Sequence, residues 1–135
     1  MKISSKGRYA VRLVVDIAKN CDNNFVSLKD VADRQDISIK YLEQITRVLV
    51  KNNILTSERG ANGGYKLSRP TNKITVAEIL SLTNDLQLTS CITDTDHKCP
   101  RCNKCESYNC WEKLNFLVCS YLNSVTIENL LNEKL

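Results

Sequence analysis

The stretch SIKYLEQITRVLVKNNILTSERGANGGYKLS, residues 38–68, decides the fold. Ser38 is a helix cap, because its hydroxyl can accept from the free N–H groups of a first turn. From Ile39 to Asn52, the apolar Leu42, Ile45 and Leu49 recur at helical spacing, flanked by Val48. Lys40, Gln44, Arg47 and Lys51 occupy the opposite face, which is polar and basic. Beyond it, Ile54–Ser57 and Tyr65–Ser68 are short β-prone runs. Asn62-Gly63 between them predicts a type I′ hairpin turn, whose two central residues need positive φ.

Working back from Ser38, Ser27 with Asp30 three residues on opens a short helix to about Arg34. Further back, YAVRLVVDIAK (9–19) is too crowded with apolar residues for strand alternation and predicts a buried helix. Two short helices, a tight connection and a hairpin are the sequence shape of a winged helix-turn-helix with Arg59 and Gly60 at the wing tip. A plain structural hairpin is the competing reading.

Working forward, Thr75 with Glu78 opens a helix to about Leu82. Residues 84–104 are polar and aperiodic and predict a loop. A helix follows from Cys105 or Glu106, with Trp111, Leu114, Leu117, Val118, Tyr121 and Leu122 as its apolar stripe. A second copy of the chain is the economical partner for that stripe, since most soluble oligomers are symmetric; folding back onto the same chain is the alternative. Thr126 caps a last short helix. The expected fold is mainly α: a winged helix-turn-helix domain over 1–82, a cysteine-rich loop over 83–105, and a dimerisation helix with a short C-terminal helix over 106–135.

Composition agrees with a single small globular chain. Among 135 residues, 42% are apolar and 25% charged, which excludes wholesale disorder. No apolar run approaches the ~18 residues of a membrane span, and the N-terminus has no secretory h-region. The expected location is the cytoplasm, with no membrane partner. Residues 1–82 carry 14 Lys and Arg against 8 Asp and Glu, whereas 83–135 carry 5 against 7. The basic part suits a polyanion. Seven cysteines without an export signal favour metal or redox chemistry over disulfides.

Five of those thiols, Cys91, Cys99, Cys102, Cys105 and Cys110, fall within twenty residues. Thiolates are soft ligands for zinc or iron–sulfur clusters. CPRCNKC (99–105) has the paired spacing of ferredoxin runs without the rest of their pattern. The second pair usual for zinc is missing. His97 reads as a solvated loop residue, Cys119 as a packing thiol and Cys21 as a turn residue. On the basic face, Tyr41, Gln44 and Arg47 are expected to reach base edges. Lys6, Arg8, Lys40 and Lys51 are expected to meet phosphates, with Ser38 at the helix start beside them. Arg59 suits a narrow minor groove. Glu43 is an acid on a DNA-facing surface, able to accept from cytosine N4 and otherwise repelled by phosphate.

MKISSKGRYAV (1–11), SIKYLEQITRVL (38–49), ERGANGGYKLS (58–68), TVAEIL (75–80) and the cysteines followed by Trp111 resemble, in order, the IscR/NsrR group of Rrf-type winged-helix regulators of bacteria. The resemblance covers essentially the whole chain. It implies a homodimer, a repressor of iron–sulfur assembly or cysteine and sulfur genes acting at the nucleoid, and a cluster held by Cys91, Cys99 and Cys105. The position of the IscR-type histidine ligand holds Tyr108, and that of the NsrR-type aspartate holds Arg8. The fourth ligand then falls to Cys102 or Cys110, with Cys102 preferred. A 2Fe–2S cluster is preferred to 4Fe–4S, and Glu43 is implied to discriminate operators according to cluster state. No enzymatic activity and no small-molecule substrate are expected. The alternatives are an iron–sulfur electron carrier or oxidoreductase, and a zinc-stabilised DNA-binding protein without sensing.

Overall fold

The computed structural model describes residues 2–93 and 99–135. Among these residues, seven α-helices and one hairpin follow in the order α1 (Ser5–Asn20), α2 (Leu28–Gln35), α3 (Ile39–Lys51), β1 (Leu55–Glu58), β2 (Gly64–Leu67), α4 (Val76–Ser81), α5 (Ser90–Thr93), α6 (Tyr108–Ser124) and α7 (Ile127–Leu131). Hydroxyl caps start five of these helices. Ser4, Ser27, Ser38, Thr75 and Thr126 each accept from a backbone N–H three residues on. Such caps satisfy donors that the helix itself leaves free. At Thr75 only half of the capping box forms, because the Glu78 carboxylate instead accepts from Arg69 Nη2 at 2.6 Å.

The main core lies where α1, α3 and the start of the hairpin meet. Leu13, Val14 and Ile17 of α1, Leu42, Ile45 and Leu49 of α3, and Ile54 and Leu55 are all buried there. Asp16 is buried on the same helix, and Arg34 and Gln35 of α2 donate to its carboxylate. The turn between α2 and α3 uses Asp36 at φ +53° to stop the first helix, leaving Ser38 to open the second.

The hairpin is antiparallel, with Leu55 opposite Leu67 and Ser57 opposite Tyr65. Its turn differs from expectation. Positive φ falls on Gly60 (+112°) and Gly64 (+151°), not on Asn62 and Gly63. The Gly63 N–H donates to the Gly60 carbonyl at 3.0 Å, so the tip is a longer loop closed one residue earlier than a two-residue type I′ turn. The reason lies at Gly64, where a Cβ would collide with the Val26 carbonyl. Val26 pairs with Tyr65 through two backbone hydrogen bonds of 2.8 Å, so the wing strand gains a third, one-residue neighbour from the α1–α2 loop.

Beyond the wing, the predicted loop contains two local elements. Cys91 sits on the single turn α5, and Cys102 opens a 3-10 turn over Cys102–Lys104. The long helix begins at Tyr108, two to three residues later than expected, so Cys105 precedes it and Cys110 lies in its first turn. Val125 then packs with Val76 and Leu80 in a second small core, and Ile127 of α7 is buried in the main core. The segment 106–135 is therefore divided in space. α6 projects, while α7 returns to α1.

Candidate functional site

Two surfaces carry chemistry: the α3–wing face and the cysteine arm. On α3, Lys40, Glu43, Gln44, Arg47 and Lys51 are exposed while Leu42, Ile45 and Leu49 anchor the other side. Thr46 is buried, and its hydroxyl donates to the Glu43 carbonyl at 3.0 Å. A groove of about 310 Å³ runs between helix and wing, lined by Thr46, Arg47, Val50, Lys51, Ser57 and Tyr65. Arg59 and Gly60 are exposed at the wing tip.

The cations of this face form no ion pair among the described residues. Among the described residues the ion pairs are Arg34–Asp16 and Arg69–Glu78, and neither involves Lys6, Lys40, Arg47, Lys51 or Arg59. The Arg8 guanidinium donates to the nearby Ser5 hydroxyl at 3.1 Å. Tyr41 is more constrained than a free base reader. It is half-buried, and its ring meets Tyr9 edge to face at 5.8 Å and 84°. The Arg12 guanidinium lies 5.4 Å from the centre of the Tyr9 ring, and its Nε donates to Gln35 Oε1 at 3.0 Å. The recognition helix is thus braced from α1 through stacked side chains.

In the arm, Cys91, Cys99 and Cys102 are half-buried and Cys105 and Cys110 exposed. Two open clefts adjoin. One, of about 590 Å³, is lined by Cys99, Arg101, Lys104, Cys105, Glu106 and Ser107. The other, of about 410 Å³, is lined by Cys102, Asn103, Cys105, Tyr108 and Asn109. Cys105 belongs to both, and Cys110 lines neither. The Ser107 hydroxyl, 3.3 Å from Cys105 Sγ, and the Ser107 N–H hold the Cys105 thiol below its ordinary pKa. Tyr108 is pushed up by partial burial and by the negative charge of Glu112, with smaller electrostatic contributions from Cys102, Cys91 and Cys99 close by. α5 packs against α6, bringing the Cys91 turn to this end of the helix. Among the described residues no three His, Cys, Asp or Glu side chains stand close enough to hold one metal ion. His97 lies outside the described residues. The donor set nevertheless fits an iron–sulfur centre in kind, since every ligand offered is a thiol.

On α6 the predicted stripe divides. Trp111, Leu114, Leu117 and Tyr121 are exposed, whereas Val118 is half-buried. Leu122 packs on Val76, Leu80 and Val125 of its own chain. Phe116, absent from the sequence reading, is 68% exposed. Its spacing places it one residue before Leu117, on the flank of the stripe rather than within it. The second feature missed is Asp16. A lone acid inside the apolar run LVVDIA was the available signal.

No helix among the described residues is long and apolar enough to cross a membrane. The Rrf2 family, described as iron-dependent transcriptional regulators, matches residues 3–133. The IscR regulator of Cronobacter sakazakii is 36% identical over 135 residues, covering 99% of this chain and 82% of its own length. That of Pectobacterium atrosepticum is 35% identical, with 99% and 81% covered. Among solved structures, the B. subtilis global cysteine regulator CymR superposes with a TM-score of 0.80 at 29% identity, with 98% of each chain covered. The T. potens IscR gives 0.78 at 33% identity, covering 98% of this chain and 88% of that one. With the winged helix-turn-helix and its basic face already in place, these matches over the whole length make the chain a member of the Rrf2 family and a DNA-binding transcriptional regulator.

Proposed function

We propose that the protein is an iron–sulfur-sensing repressor, acting as a homodimer on operators in the bacterial cytoplasm and nucleoid. In this reading Cys91, Cys99 and Cys105 hold the cluster and Cys102 is the fourth ligand. The observation that carries it is the pair of adjoining clefts that share Cys105 and are lined by Cys99 and Cys102. Cys110 and Cys91 line neither; Cys91 is brought in by the packing of its turn, α5, on α6, whereas Cys110 sits on α6 itself, and Cys102, which lines a cleft with Cys105, is preferred to it. A bound cluster supplies a labile, redox-active centre, 2Fe–2S in preference to 4Fe–4S, and thiolate ligation lowers its potential relative to a histidine-ligated one.

The remaining roles belong to the head. Gln44 and Arg47 read base edges from α3, with Tyr41 held by Tyr9 at their side. Ser38, Lys6, Arg8, Lys40 and Lys51 fix the register on phosphates. Arg59, carried out by Gly60, enters the minor groove. Glu43 penalises operators that leave its carboxylate unpaired. Trp111, Leu114, Leu117, Val118 and Tyr121 of two α6 helices cover one another, leaving Leu122 to tie α6 to its own head. The regulated genes are those of cluster assembly or of cysteine and sulfur supply, in keeping with the IscR and CymR relatives.

Anaerobic purification with visible spectroscopy and iron, sulfide and zinc analysis tests this. Cys91→Ala, Cys99→Ala, Cys102→Ala and Cys105→Ala are expected to lose colour and sulfide, while Cys21→Ala, Cys110→Ala and Cys119→Ser keep them. A normal cluster in Cys91→Ala sinks the ligand assignment. Zinc without sulfide in the native protein identifies a zinc-stabilised DNA binder instead, and a cluster without operator binding identifies an electron carrier.

A further inference from the structure

Asp85 lies six positions before Cys91, yet Ser4, at the other end of the chain, donates to it twice. The Ser4 N–H donates to Oδ1 at 2.7 Å and the Ser4 hydroxyl donates to Oδ2 at 2.8 Å. Thr83 donates its hydroxyl to the same Oδ2. Ser4 in turn caps α1 by accepting from the Gly7 N–H at 3.0 Å. The fit leaves no room for a side chain at residue 7 unless the carboxylate moves. Gly7 is buried, and a Cβ there would overlap the Asp85 carboxylate. The next residue, Leu86, packs on the small core of Val76, Leu80 and Val125, so the carboxylate is held from behind.

The first turn of α1 that Asp85 fastens carries Lys6 and Arg8. We propose that Asp85 is a positioning residue for DNA binding, fastening the α1 start so that Lys6 and Arg8 present their charges to the phosphate backbone. The inference rests on the reading of those two cations as phosphate anchors. It places the fastening on the segment that leads into the cysteine arm rather than within the helix-turn-helix. Without Asp85 the first turn loses the partner of its cap, and two flexible cations must be ordered by the DNA itself, at an entropic cost.

The test uses the full chain and a fluorescent duplex selected from a random-sequence pool by the wild-type protein. Affinity is measured over a series of salt concentrations. Each phosphate contact contributes about 0.9 to the slope of log affinity against log salt. Lys6→Gln/Arg8→Gln is expected to lower the slope by one to two such contacts per protomer and affinity by roughly tenfold or more. Asp85→Ala is expected to reproduce most of that loss and to add little in the Lys6→Gln/Arg8→Gln background. Gly7→Ala, which displaces the same carboxylate sterically, is expected to copy Asp85→Ala. Asp85→Asn, which keeps an acceptor for the Ser4 N–H, is expected to fall between. Hydrogen exchange supplies the fold control: amides of 5–8 exchange faster in Asp85→Ala while those of 42–49 keep their protection. If the double cation variant lowers the slope and Asp85→Ala does not, or if their losses add, the role given to Asp85 is overturned. If the double cation variant itself leaves the slope unchanged, the phosphate-anchor reading fails and the inference falls with it.

Discussion

Arg34 closes on Asp16 across the joint between the first two helices, with Nη2 2.6 Å and Nε 3.2 Å from Oδ1. The carboxylate side chain is 3% exposed and the guanidinium 38%. Only the acid is out of water, so it is the acid that depends on the pair. The hydrogen bond to Asp16 raises the Arg34 pKa further, and the cation is charged at every working pH. Arg34→Ala leaves Asp16 with Gln35 as its remaining side-chain donor across the joint and is expected to cost about 2 kcal/mol in urea unfolding, more than Asp16→Asn. Equal stability of both variants and the wild type would show the pair to be idle.

Asp85 gives stability a pH dependence. Burial pulls its pKa up, but hydrogen bonds from the Thr83 hydroxyl, the Ser4 N–H and the Ser4 hydroxyl, with the charge of Lys6, outweigh it and hold it below the ordinary carboxylate value. The folded state then binds this proton less readily than the unfolded state. Its contribution is complete above the ordinary value and is lost as pH falls through the folded one. The stability gap between wild type and Asp85→Asn is expected to be constant above about pH 5 and to shrink below about pH 4. A gap that stays constant down to pH 3 would contradict the depressed pKa.

At the wing, Arg59→Ala is expected to cost roughly 1–3 kcal/mol on the preferred operator and less on others. Lys51→Ala is expected to weaken all sequences alike and to reduce the salt slope by about 0.9 per protomer. Fluorescence anisotropy on specific and scrambled duplexes separates the two. Unchanged affinity of Arg59→Ala for every duplex would mean that the wing does not engage DNA.

Glu43 is exposed on α3 between Lys40 and Arg47. Under the proposed cluster sensing, Glu43→Ala is expected to let cluster-free protein bind operators that would otherwise require the cluster, narrowing the difference between the two forms by about tenfold, or 1.4 kcal/mol. Affinities of both forms on the same operators at one salt concentration decide it. Identical ratios for wild type and variant would make Glu43 a solvated charge.

For α6, Phe116, Leu117 and Tyr121 are 68%, 55% and 56% exposed. Leu117→Asp places a charge in the middle of this strip. Sedimentation equilibrium is expected to show twice the chain mass for the wild type and a dimer weakened by about 2–4 kcal/mol for the variant. An unchanged dimer would move the interface elsewhere.

The head was legible in the sequence because its signals are local. Caps at Ser27, Ser38 and Thr75, and the i, i+3, i+7 face of Leu42, Ile45 and Leu49, depend on neighbours within one or two turns. The wing was legible as a hairpin but not in its turn, since Gly64 answers to Val26, almost forty residues earlier. Asp85 on Ser4 and Leu122 on Leu80 are likewise contacts between distant segments that no periodicity announces. Within the arm, the thiol spacing pointed to soft-metal chemistry, but the short aperiodic turns carry no face from which to read which thiols share a cleft.

The chain leaves the head beside Leu86 and rejoins it at Leu122 and Val125, all three on the same small apolar core with Val76 and Leu80. In effect the arm is a cassette plugged into a single socket. Changing the length of its irregular segment costs little in loop closure, about 0.6 kcal/mol per doubling. The arm can therefore change in length or content without refolding the rest of the chain, provided these apolar contacts and the seat of Asp85 on Ser4 are kept.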